Sequence, residues 1–122
     1  MKINKKFAVE NFEFFYKKLT DEMVDFEKII SEKIGFILAS QLTKGDRGIR
    51  EKEKETYNRV CMLYCRLINE YQFLAAAYEG KIPRRLRFKI ENAYAAGEMI
   101  QRYQSIDQTI DDMNDPYGED EV

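Results

Sequence analysis

The stretch EGKIPRRLRFKIENAYAAGE, residues 79–98, decides how this chain folds. Gly80 suits the residue that ends one helix, and Pro83 suits the first position of the next, where a missing N–H costs nothing. So short a turn predicts an antiparallel hairpin of helices, in which facing residues have numbers that sum to about 161. Tyr71 then meets Ile90, Ile68 meets Ala93, and Tyr64 meets Gly97. Gly97 costs a helix about 1 kcal/mol relative to alanine, which points to a packing role, with a kink as the rival explanation. The small residues at 75–77 and 93–97 would let the two backbones approach closely.

Outward from this hairpin the pattern stays helical. Upstream, Tyr57, Val60, Tyr64, Leu67, Tyr71, Leu74 and Tyr78 form a regular seam, widened by Cys61, Ile68 and Ala75. Its charged beginning, with Glu51–Lys54 and Glu55–Arg59 pairs, reads as a solvated start that projects beyond the core. Downstream, Leu86, Ile90, Ala93, Gly97, Ile100, Tyr103, Ile106, Ile110 and Met113 keep helical spacing up to Pro116. Nearer the N-terminus, Phe12, Tyr16, Leu19, Met23, Phe26 and Ile30 recur at steps of 4, 3, 4, 3 and 4. That seam runs in phase through Thr20 and Asp21, which favours one continuous helix over a break at those capping residues.

The expectation is an all-α protein: an antiparallel bundle of three long helices at about 4–43, 47–79 and 83–113. Residues 1–113 form a single domain, and 114–122 an acidic tail without fixed structure. No apolar run is long enough for a transmembrane span, and charges interrupt the N-terminus too early for a signal peptide. Together with two cysteines one helical turn apart, this reads as a cytoplasmic protein with no membrane partner.

Catalysis is argued down residue by residue. With no histidine there is no Ser–His or Cys–His pair, no histidine proton shuttle and no helical di-iron Glu-x-x-His pattern. The segment KGDRG is too short for a phosphate loop and lacks its lysine–hydroxyl pair. Carboxylate pairs such as Asp21 with Asp25 and Asp107 with Asp111 read as solvated faces. Cys61 and Cys65 would need carboxylates to complete a zinc shell, and read instead as two buried, reduced thiols. The expectation is no enzyme, no cofactor and no metal.

Charge is the informative feature. Residues 81–89 hold five basic and no acidic side chains, whereas residues 111–122 hold six acidic and no basic ones, in a chain of net charge −2. Lys81, Arg84, Arg85, Arg87 and Lys89 sit where a helix N-terminus already carries partial positive charge. They have three readings: ion pairs to the first helix, a docking surface for an acidic protein or a sister subunit's acidic tail, or a nucleic-acid contact. Large aromatics left beside the seams, Phe7, Phe14, Phe36, Phe73 and Phe88, are candidates for an oligomer or partner surface.

The functional expectation is a small helical protein–protein interaction protein: a regulator, adaptor or stoichiometric inhibitor that self-associates into a homo-oligomer. Its small size, acidic tail and surplus aromatics also suit an effector of phage or mobile-element type. Alternatives are a nucleic-acid-binding module using the basic start of helix three, or a helical assembly subunit.

Overall fold

In the computed structural model the chain is described for residues 4–38 and 51–114, with side chains for 4–35 and 53–112. Three helices pack on one another: α1 (Lys5–Leu38), α2 (Glu51–Ala77) and α3 (Arg84–Asn114). At 1.5 Å per residue they are about 51, 40 and 46 Å long. Among the described residues there is no strand, and no helix is long and apolar enough to cross a membrane.

α1 runs unbroken through Thr20, as its in-phase seam predicts. The Thr20 hydroxyl turns back to donate to the Lys17 carbonyl (2.9 Å) instead of capping a new helix. Asn4 caps the N-terminus, its side-chain oxygen accepting from the Phe7 N–H at 3.2 Å. Phe12, Leu19, Phe26 and Ile30 of α1, Val60, Leu67 and Leu74 of α2, and Leu86 and Ile110 of α3 are fully buried. Burying each of the larger ones stabilises the fold by about 1.5–3 kcal/mol, so the seams that define the helices also hold them together.

The register is readable from side-chain pairs. Between α1 and α2, Lys5 lies over the Tyr78 ring, Arg66 over Phe15, and Arg59 against Glu22, so partner numbers fall on one helix as they rise on the other. These two helices are antiparallel and approach most closely. Between α1 and α3, Glu13 pairs with Lys89 and Tyr16 with Asn92, a constant offset of 76 residues, so α1 and α3 are parallel. Between α2 and α3, Tyr64 meets Gly97 and Tyr57 meets Gln104, at the sum expected from the hairpin.

Several expectations need correction. The α2 and α3 backbones do not approach as closely as the small residues at 75–77 and 93–97 suggest, because the Tyr64 ring of α2 stands between them and Gly97 makes room for that ring. Pro83 is the cap rather than the first helical residue, its carbonyl accepting from Arg87 N at 3.1 Å. α2 ends at Ala77, and the turn after it holds two left-handed residues, Gly80 at φ 82° as its place in the sequence suggests and also Glu79 at φ 52°, with Gly80 N donating to Ala75 O (2.9 Å) and Glu79 N to Ala76 O (3.2 Å). The charged start of α2 does not project, since Thr56 is buried and Glu53 pairs with the buried Lys33 at 3.6 Å. Arg59 reaches Glu22 and Thr56 rather than Glu55. Cys65 is exposed, not buried, while Cys61 is half-buried, and both thiols are free. The expected ends of helices one and two at 43 and 47, and the acidic tail beyond Asn114, lie outside the described residues.

Candidate binding surface at the basic pole

The parallel setting of α1 and α3 puts two helix N-termini at one end of the bundle. Neither helix has an acidic residue in its first turn, so two positive dipole ends converge there, offset in part by the negative C-terminal end of the antiparallel α2 and by the exposed Glu79. With the offset of 76 residues, Lys5 of α1 stands level with Lys81. Lys5, Lys6, Lys81, Arg84 and Arg85 therefore share this pole, and all are exposed. Sequence reasoning found the α3 cations but missed Lys5 and Lys6. Only the parallel register, a tertiary property, joins them to the set.

The five cations of residues 81–89 divide into two groups. Lys89 is structural: its Nζ lies 2.6 Å from Glu13 Oε2 and 5.6 Å from the centre of the Tyr16 ring, tying α3 to α1. Arg87 is also used, its Nε donating to the Ile82 carbonyl at 3.0 Å and bracing the turn into α3. Ile82, which the sequence did not mark as core, is buried with Leu86 and anchors the same turn. The side chains of Lys81, Arg84 and Arg85 have no hydrogen-bond or ion-pair partner among the described residues. Helix one thus neutralises one of the five, and three cations face solvent at the pole.

At the far pole the end of α3 is acidic, although Lys28 and Lys33 of α1 and Lys54 of α2 lie at the same end of the bundle. Glu53 at the start of α2 lies level with Asp107 near the end of α3, and both raise the pKa of Tyr103, though less than its burial does. Asp111 and Asp112 follow within the last turn of α3, which has no basic residue to offset them. Just inside this pole, Tyr103 stacks on Tyr57 at 4.3 Å between ring centres, and its buried hydroxyl has no hydrogen-bond partner among the described residues. Gln104 donates to the Tyr57 hydroxyl at 2.8 Å instead.

The aromatic candidates are where a surplus would be. Phe7 and Phe14 on α1, Phe73 on α2 and Phe88 on α3 are each more than half exposed. They are spread over three helices. Phe14 is partly clothed, with Lys18 Nζ 4.9 Å from its ring centre and Phe15 edge-on at 5.1 Å. The Phe36 side chain lies outside the described residues. Phe88 stands one turn after Arg84 and Arg85, giving the basic pole an apolar flank. No cluster of three metal-ligating side chains occurs among the described residues.

Comparison with protein-family models, with curated proteins and with solved structures gives no match.

Proposed function

We propose that this chain is a non-catalytic interaction protein, a regulator, adaptor or stoichiometric inhibitor, that binds an acidic protein surface through its basic pole and associates with itself. The observation that carries this reading is the set Lys81, Arg84 and Arg85. They are exposed, they lie at a positive helix end, and their side chains form no ion pair with any described residue. Such an arrangement weakens the free helix, and an anionic partner would reverse that effect. Arginine also forms two parallel hydrogen bonds to a carboxylate, which a lysine cannot, and it is enriched at protein interfaces.

Two converging helix N-termini also suit phosphate groups, so a nucleic-acid contact is the competing reading. The chain's net charge of −2 and the six acidic side chains of residues 111–122, with no basic one among them, favour the protein partner.

The test is affinity capture from the native host with the wild-type chain and with Arg84→Glu/Arg85→Glu, after nuclease treatment. The expected result is a protein held by the wild type, released as salt rises, and absent from the variant. Retention of the same proteins by both chains, with equal helicity by circular dichroism, would remove the basic pole from the function. Loss of all binding on nuclease treatment would assign the pole to nucleic acid.

A further inference from the structure

We propose that the basic pole is occupied by the acidic C-terminal region of a second copy of this chain, in a closed antiparallel pair. This rests on the reading of the pole as a docking surface and names its occupant.

Three observations converge. The first is the charge layout of the folded rod. Lys5, Lys6, Lys81, Arg84 and Arg85 mark one pole, while Asp107, Asp111 and Asp112 lead out of the other into a segment that adds Asp115, Glu119, Asp120 and Glu121. Two such rods side by side and antiparallel bring each basic pole against the other's acidic end.

The second is reach. Asn114 lies about 45 Å along α3 from Arg84. Seven extended residues carry Glu121 at most about 25 Å from Asn114. The segment's own carboxylates therefore fall about 20 Å short of Arg84 on the same molecule. A neighbouring copy has no such constraint, because in an antiparallel pair the segment starts beside the partner's α3 N-terminus.

The third is closure. Each copy presents one basic pole and one acidic end, and the antiparallel pair satisfies both through a two-fold axis. The assembly stops at two chains and does not grow into a filament. Phe88, exposed beside Arg84 and Arg85, supplies apolar surface at the same contact.

The experiment is sedimentation equilibrium of three full-length chains at low and raised salt: the wild type, Arg84→Glu/Arg85→Glu, and a chain with Asp115→Asn, Glu119→Gln, Asp120→Asn and Glu121→Gln. The expected result is a two-chain mass for the wild type at low salt, falling to one as salt rises. Both variants should weaken self-association on the order of ten-fold or more. All of these substitutions lie at exposed positions or outside the described residues, and circular dichroism checks that helicity is kept.

A wild type that stays monomeric at low salt overturns this proposal, and the host-capture result then decides the docking reading separately. If the pole variant loses association but the amide variant does not, the segment is not the occupant, though the pole remains a docking surface. If both variants associate like the wild type, neither idea survives. Duplex DNA binding to a monomeric wild type, lost in the pole variant, assigns the pole to phosphate and also overturns the pair.

Discussion

Gly97→Ala should destabilise this protein even though alanine is the better helix former. A methyl added at Gly97 would lie 2.6 Å from the Tyr64 hydroxyl oxygen, 2.8 Å from Cζ and 3.1 Å from Cε2. The hydroxyl oxygen and Cζ lie on the axis about which the ring spins, so spinning cannot clear them, and the tip of the Tyr64 side chain must swing aside. Overpacking of this kind costs about 1–3 kcal/mol, against a helix-propensity gain of about 1 kcal/mol. The net effect is a loss of about 0–2 kcal/mol. Its diagnostic form is the double-mutant cycle: in a Tyr64→Ala background the ring is gone and the same substitution should stabilise by about 1 kcal/mol. Urea denaturation followed by circular dichroism measures all four chains, and the midpoints are comparable if the slopes agree. A gain of about 1 kcal/mol in both backgrounds would mean that Tyr64 does not sit on Gly97, and the α2–α3 register would be wrong.

Other expectations follow from particular atoms. Tyr103→Phe removes a buried hydroxyl that has no partner among the described residues and should raise stability by about 1 kcal/mol in the same assay. Burial raises Tyr103 and Tyr64 above the ordinary phenol value of 10.0, so the folded chain holds those protons more tightly than the unfolded chain. Their contribution is intact below pH 10.0 and is lost as pH rises from there towards the folded values. Stability against alkaline pH should therefore fall less steeply in Tyr103→Phe than in the wild type, and equal slopes would count against a buried phenol. Glu79→Gly relieves a left-handed non-glycine residue and should stabilise by about 0.5–1 kcal/mol, the strain relief exceeding glycine's entropy cost. A loss of stability there would argue against the way α2 ends.

The three helices, the continuity of α1 and the meeting of Tyr64 with Gly97 were legible in the sequence, because each depends on periodicity or on the length of one turn. The exposure of Phe7, Phe14, Phe73 and Phe88 followed from the same periods, since each lies off a seam. What could not be read depends on how one helix is rotated and placed against another. Lys89 and Arg84 look equivalent in sequence, yet Lys89 faces Glu13 and Arg84 faces solvent. Arg59 had a suitable glutamate one turn away and took Glu22 across the interface instead. Cys65 lies only one turn from the half-buried Cys61, but on the outer face of α2. Gly80 marked a left-handed position at the end of α2, but the second one, at Glu79, is set by the hydrogen bonds back to Ala75 and Ala76 and has no signal in the residue itself.

The most direct measurement of the central claim, that the basic pole receives another copy's carboxylates, is a mixing experiment. The Arg84→Glu/Arg85→Glu chain keeps its acidic segment but has lost its pole, whereas the chain with four amides in that segment keeps its pole. Each alone should sediment as a monomer at concentrations where the wild type pairs. Mixed in equal amounts, they should form a two-chain species through the one intact contact, weaker than the wild-type pair and abolished by salt. A mixture that stays as monomeric as its components, while the wild type pairs under the same conditions, would contradict the account.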